Sequence, residues 1–246
     1  MNDNYFCLTY DYSAYSSIGK RKNNEDSYSV IEKAEGILAI VGDGLGGVLG
    51  GEIASSELIE SAKRHLKDIT LDADNLDDAI AEMNLDIFGL GNGREGPKTT
   101  LALLWINGNE AYAANVGDSR IYQFRGEDIV FQSTDHSIPQ IAVQIGDIKQ
   151  EDIRTHKDRN KITRCLGMDK FVSPNIRKLC VEPGDRFILC SDGFWEPVLE
   201  REMISTSADN PDADIWLERM KKIATEKEQD NHTAIVVIAR KTGREI

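Results

Sequence analysis

Between Thr99 and Thr134 the chain reads TTLALLWINGNEAYAANVGDSRIYQFRGEDIVFQST, short runs of β-branched, aliphatic and aromatic residues broken by turn signals. Asn107-Gly108 and Arg125-Gly126 mark hairpins, so the stretch is predicted to be an antiparallel meander. Helical periodicity precedes it: Ala54, Leu58, Ala62 and Leu66 form one apolar stripe, and Leu76, Ile80, Met83 and Ile87 a second. Strands are predicted at Ser27 to Ile31 and Ile37 to Val41, then in DRFILCSDG and NHTAIVVIAR. A helix is expected from Ile215 to Ala224, with Trp216, Met220 and Ile223 inward. Strands grouped with strands, and helices with helices, predict an α+β layered architecture rather than a parallel βαβ sheet. No repeat, low-complexity tract or Pro/Ser-rich linker divides the 246 residues, so one domain over 1–246 is expected.

Bulk properties narrow the function. A formal net charge of −13 disfavours nucleic acid as a partner, since phosphate backbones call for a basic surface. The longest apolar run, near Ile37 to Val41, is far too short for a membrane segment. The N-terminal MNDNYFCLTYDYSAY lacks the basic and apolar regions of a signal peptide, and a cytoplasmic location is expected. Cys7, Cys165, Cys180 and Cys190 show no metal-type spacing and are expected as free thiols.

Residues 42–47, GDGLGG, fit the G-x-G-x-x-G pattern of a dinucleotide-binding turn at Gly42, Gly44 and Gly47. That reading needs a βαβ unit and an acidic ribose ligand about twenty residues on. Here one predicted helix leads into another with no strand between, and Asp43 would put negative charge where pyrophosphate belongs. A carboxylate beside exposed carbonyls suits a hard divalent cation instead.

Other acidic residues share this setting. Asp192 follows the strand ending in CSDGFW, Asp118 follows Ala111 to Val116 in NVGDSR, Asp230 precedes a strand in KEQDNHTAIVV, and Glu25-Asp26 precede the strand at Ser27. Such carboxylates can converge on one sheet edge, where they would repel one another without cations. With no Cys or His at metal spacing among them, Mg²⁺ or Mn²⁺ is favoured over Zn²⁺.

The ordered motifs RKNNEDS, DGLGG, KTT, ANVGDSRIY, TDHS, RNKITRCLG, PGDRFILCSDGFWE and QDNHTAIVV resemble the type-2C, metal-dependent protein serine/threonine phosphatases, most closely the bacterial form. The resemblance runs from about Ser17 to Ile238. It implies a four-layer α-β-β-α sandwich of two antiparallel sheets flanked by helices, with a flap subdomain at about 136–165. Position by position, it makes Asp43 the bridging ligand of two central metals and Gly44 the donor of a backbone carbonyl. Asp192 and Asp230 become the other direct ligands, Glu25 and Asp26 an acidic pair acting mainly through water, and Asp118 a ligand of a weaker third metal. Arg21 would grip the substrate phosphate through paired charge-assisted hydrogen bonds. The implied cofactors are Mg²⁺ or Mn²⁺; the implied reaction is in-line attack on phosphoserine or phosphothreonine by a hydroxide bridging the two metals, with no covalent enzyme intermediate. Phosphorylated proteins, and a serine/threonine kinase acting in opposition, are the implied partners.

Three positions depart from the pattern. Leu45 replaces a histidine proposed as general acid in eukaryotic relatives, Lys98 stands where a small residue is common, and Lys157-Asp158 replaces a flap proline. Two alternatives compete with catalysis by this route: a non-catalytic relative serving as a binding module, and a metal-dependent phosphodiesterase or nuclease. The retained Arg21, Asp43, Asp192 and Asp230 oppose the first, and the missing basic groove opposes the second. Cys180 to Arg186 formally fits the C-x5-R loop of cysteine phosphatases, yet Glu182, Pro183 and Asp185 would repel the anion and remove a donor. His65 is expected on a solvated helix face, His232 at the start of a strand, and His136 and His156 as structural hydrogen-bonders. Arg120 and Arg164 are expected to brace the aspartate loops, and Trp105, Trp195 and Trp216 to pack.

Overall fold

A computed structural model describes residues 8–33, 36–46, 50–227 and 229–242, which leaves Cys7 and Gly47 outside it. One sheet has five strands in the order β1 (Leu8–Ser17), β11 (His232–Lys241), β10 (Arg186–Cys190), β7 (Arg120–Arg125) and β8 (Asp128–Gln132). The second runs β2 (Asp26–Lys33), β3 (Gly36–Leu45), β5 (Leu101–Asn107), β6 (Glu110–Val116) and β9 (Asn175–Cys180), with the short β4 (Lys98–Thr99) paired to β3. All the pairings are antiparallel.

The apolar run at Ile37 to Val41 shows why the sheets stack. Ile37, Ala39 and Val41 face an inter-sheet core with Leu104, Phe187, Leu189 and Val237. Leu38 and Ile40 face the opposite way, onto α1 (Gly51–His65) and α2 (Ala73–Gly89) through Leu58, Ile80 and Met83. A strand covered on both faces loses the apolar/polar alternation and reads as a continuous apolar run. The outer face of the five-stranded sheet is covered by α6 (Ala213–Lys227), which follows the short α5 (Glu200–Ser205); its Trp216, Leu217 and Met220 pack against Phe124, Val236 and Ile238. The layers are therefore helix, sheet, sheet, helix.

One expectation needs correction, and β1 and β9 are strands that the sequence pattern did not predict. The stretch from Thr99 to Thr134 is not one meander: the β5–β6 hairpin belongs to one sheet and β7–β8 to the other. The chain changes sheets at Gly117–Ser119, where Gly117 takes φ 99°, a left-handed conformation that favours glycine. β1 is a further strand, paired along its whole length with β11. Its sequence LTYDYSAYSS is mostly half-buried, and it carries neither an apolar run nor a clean alternation to betray it.

Candidate active site

The change of sheet puts one chain crossing beside the ends of several strands. β2 and β3 pair in a register that sets Asp26 opposite Asp43. Asp118 lies in the crossing between β6 and β7, Asp192 opens the short helix α4 (Asp192–Trp195) directly after β10, and Asp230 stands just before β11. Arg21, Glu25, Asp43, Gly44, Asp118, Asp192 and Asp230 line one cleft of about 510 Å³, together with Leu45, Asn160 and Asn231. Asp26 lies behind its wall, buried, with Oδ2 accepting from Ser191 Oγ at 2.7 Å.

Backbone contacts hold the Asp43 turn. Its N–H donates to Thr100 Oγ1 at 2.9 Å, while its carbonyl accepts from the Thr100 N–H at 2.9 Å and from Thr99 Oγ1 at 3.0 Å. Gly44 donates to the Glu25 carbonyl at 3.0 Å, and a Cβ on Gly44 would collide with that carbonyl and with Gly51 at the start of α1. The glycines of this loop thus let two backbone segments close together rather than cradle a phosphate.

Electrostatics in the cleft are dominated by crowded carboxylates. Burial pushes Asp26 up to about 7, despite hydrogen bonds from Ser191 and Thr233, with Asp192 and Asp230 adding repulsion. Asp43 is raised well above the ordinary range by desolvation and then by Asp26, Asp192, Asp118 and Asp230. Asp118 is raised in the same way, by burial first and Asp192 next. Asp192 is raised by burial and Asp230, partly offset by hydrogen bonds from the Asp43 carboxyl and the Gly193 N–H. Two carboxyls in hydrogen-bond contact must share a proton when nothing else lies between them.

The residues fit divalent cations. Asp26 Oδ1 and Asp118 Oδ1 are buried without any hydrogen-bond partner, a costly arrangement for acceptor atoms that a cation would relieve. The donors are all oxygen, as Mg²⁺ or Mn²⁺ prefers. Among the described residues no three acidic, His or Cys side chains stand, as they are placed, so as to hold a metal ion together. Arg21 Nη2 instead forms an ion pair with Asp230 Oδ2 across the mouth of the cleft, its side chain 57% exposed.

Several supporting residues escaped the sequence reading. Asn231 ties the Arg21 loop to the metal side: its Nδ2 donates to the Ile18 and Asn23 carbonyls at 2.8 and 2.9 Å, and its Oδ1 accepts the Glu25 N–H at 2.9 Å. Trp195 Nε1 donates to the Asp118 carbonyl at 2.9 Å, with Arg120 stacked 3.5 Å over its ring. Asp135 in turn holds Arg120 through both carboxylate oxygens. The adjacency of Asn231 to Asp230 was the only available signal for it; the partners of Trp195 and Asp135 are distant in sequence.

The other singled-out residues lie outside this chemistry. Cys180 is exposed at the end of β9, and Asp185 is fully buried, accepting from Gln123, Arg125 and the Glu182 N–H, so the C-x5-R segment is a braced turn. His65 is not simply solvated: its Nε2 lies 3.0 Å from Asp86 Oδ2, beside Arg64 and Ser61 on the same carboxylate. His232 is fully buried with Nδ1 2.9 Å from the Tyr15 hydroxyl. His156 Nδ1 accepts the Asp158 N–H at 3.1 Å. Lys98 pairs with Glu95 at 2.6 Å.

Comparison with known proteins converges on the same chemistry. The profile of the family described as protein phosphatase 2C matches residues 14–234. The serine/threonine phosphatase stp of Listeria innocua is 31% identical over 193 residues, covering 74% of this chain and 77% of that protein. The serine/threonine protein phosphatase PstP of Mycobacterium tuberculosis is 33% identical over 211 residues, 80% of this chain but 38% of PstP. The crystal structure of the catalytic domain of PstP in complex with two manganese ions superposes with a TM-score of 0.80 at 30% identity, covering 95% of this chain and 99% of that one. The fold is that of the metal-dependent protein serine/threonine phosphatases. Within that class, the chain belongs to the protein phosphatase 2C family.

Proposed function

We propose that the chain hydrolyses phosphoserine and phosphothreonine in proteins at this cleft, as one catalytic domain over 1–246 with a flap at 136–165. The observation that carries the reading is the meeting of Asp43, Asp118, Asp192 and Asp230 with Arg21 in one cleft, with buried carboxylate oxygens left unpartnered behind and within it. Asp43, the Gly44 carbonyl, Asp192 and Asp230 would hold two central Mg²⁺ or Mn²⁺ ions. Glu25 and Asp26 would act through water, and Asp118 would hold a weaker third ion. When bound, such ions lower the pKa of water and neutralise charge developing on phosphate.

The chain's own groups supply the rest. Arg21 sits at the lip with one nitrogen engaged by Asp230, leaving the remainder of its fork for phosphate oxygens. Leu45 lines the cleft with no proton to give, so the proton for the leaving serine or threonine oxygen would come from water or another group there, Asp118 among the candidates. The reading places the chain in the cytoplasm, opposing a serine/threonine kinase. Among the described residues no helix is long and apolar enough to cross a membrane.

Turnover of p-nitrophenyl phosphate and of a phosphothreonine peptide should require Mn²⁺, stop with EDTA, and fall at least about 100-fold in Asp43→Asn, beyond the usual loss from an outer-shell change. Undiminished turnover in that variant would sink this assignment. Failure of wild type to turn over with any metal would favour the binding-module alternative.

A further inference from the structure

A second, larger crevice of about 920 Å³ opens behind the catalytic cleft, where the two sheets part at their edge. β8 and β9, the end strands of their sheets, flank it, and α3 (Ile138–Gln144) closes one end. Its floor lies at the end of the inter-sheet core, where the small Ala113 closes that core and the polar Asn115 follows it. Ala113 and Asn115 lie opposite Arg177 and Asn175 in the β6–β9 register, where larger apolar side chains would have sealed the sheets together.

The charge of the crevice is opposite to that of the molecule. In a chain of net charge −13, its wall carries Arg164 and Arg177 beside His136. Its one carboxylate, Asp135, is buried and already held by Arg120. Arg177 is exposed on β9 and makes no ion pair or hydrogen bond through its side chain among the described residues. Arg164 uses only Nη1, toward the Ser173 carbonyl at 2.6 Å and His136 Nε2 at 3.0 Å, so its Nε and Nη2 are free among the described residues.

The crevice and the catalytic cleft share a wall. Ile162 faces the catalytic side, and Thr163 and Arg164 face the crevice. His136 accepts the Gly117 N–H on Nδ1 at 3.1 Å, and the next residue, Asp118, lines the catalytic cleft. We infer that this crevice is a docking groove for an acidic, extended segment of the phosphoprotein substrate, read by Arg177 and Arg164. End strands suit an extended chain, unpaired guanidinium groups suit carboxylates, and the shared wall puts the docked segment next to the reacting phosphate. The inference rests on the phosphatase reading for the identity of the substrate, but not for binding itself.

The test is fluorescence anisotropy of a fluorescein-labelled hexaglutamate peptide against the Mn²⁺-loaded full chain, wild type and Arg177→Glu, with Asn175→Glu as a second charge variant. Wild type should bind and both variants should bind about tenfold or more weakly, as reversal of a contacting charge implies. Their turnover of p-nitrophenyl phosphate should match wild type, because neither side chain lines the catalytic cleft. A phosphothreonine peptide with an acidic extension should lose kcat/KM in the variants, while one without it should not. No binding to wild type, equal binding by all three proteins, or competitive inhibition of p-nitrophenyl phosphate turnover by hexaglutamate would overturn the groove. Absent turnover in wild type would refute the phosphatase reading alone, since the anisotropy still decides the groove.

Discussion

Thr100 fastens two sides of the cleft: its Oγ1 accepts the Asp43 N–H at 2.9 Å and meets Ser119 Oγ, next to Asp118, at 2.6 Å. Valine has nearly the same shape but no hydroxyl, so Thr100→Val leaves a buried N–H unsatisfied. The variant should lose about 1–3 kcal/mol in urea denaturation. Turnover should drop by about tenfold or more as Asp43 and Asp118 lose their common anchor. Thr100→Ser should restore most of both, and a fully active Thr100→Val would show that the hydroxyl positions nothing. At this scale Asp43, Asp118, Asp192 and Asp230 were legible because each sits next to a strand-like run. Their supports Asn231, Trp195 and Asp135 were not, because their partners are set by the stacking of the sheets and not by local pattern.

Elements carry the residues to one place through a single topological step. The chain leaves β6 in one sheet and enters β7 in the other, and Arg120 at the start of β7 is locked by Asp135 and stacked on Trp195. Arg120 is almost fully buried, so its guanidinium is the counter-charge that lets Asp135 stay inside. Replacing it by Met, Arg120→Met, leaves that carboxylate uncompensated and should cost about 3–5 kcal/mol in chemical denaturation. A loss below about 1 kcal/mol would mean that Asp135 finds water or another partner. Hairpins at Gly108 and Gly126 were readable from their turn residues, and the helices from Gly51 and Ala73 and α6 from periodicity. The sheet change at Gly117 was not, since a left-handed glycine between two strands looks the same whether the next strand pairs beside the last or crosses over. β1 escaped notice because only Tyr15 is sealed in a core, while Tyr12 is exposed and Tyr10 and the serines are half-buried along β11.

The whole molecule stores mutual repulsion at the strand ends and balances it with a proton or a cation. Asp26, raised to about 7, and Asp43, Asp118 and Asp192, all raised, bind protons in the folded state that the unfolded chain gives up near pH 4. Stability of the metal-free chain is then full below about pH 4 as far as these groups are concerned, and falls as pH rises from there through about 7. Carboxylates with depressed values, Asp86 and Glu200 among them, act in the other direction only near and below their unfolded values. A divalent cation that replaces the shared proton should remove most of the decline, leaving the share of Glu196, which burial also raises to about 7. The most direct measurement is thermal denaturation of EDTA-stripped protein from pH 5 to 8, repeated with Mn²⁺, for wild type and Asp43→Asn. Without metal, wild type should melt at progressively lower temperature toward pH 8. Mn²⁺ at about a hundred times its dissociation constant should raise that pH 8 value by about 5–10 °C, and Asp43→Asn should show both a shallower decline and little response to Mn²⁺. A wild-type melting temperature indifferent to both pH and Mn²⁺, or an equal Mn²⁺ response in Asp43→Asn, would contradict the claim that these strand-end carboxylates form the cation site.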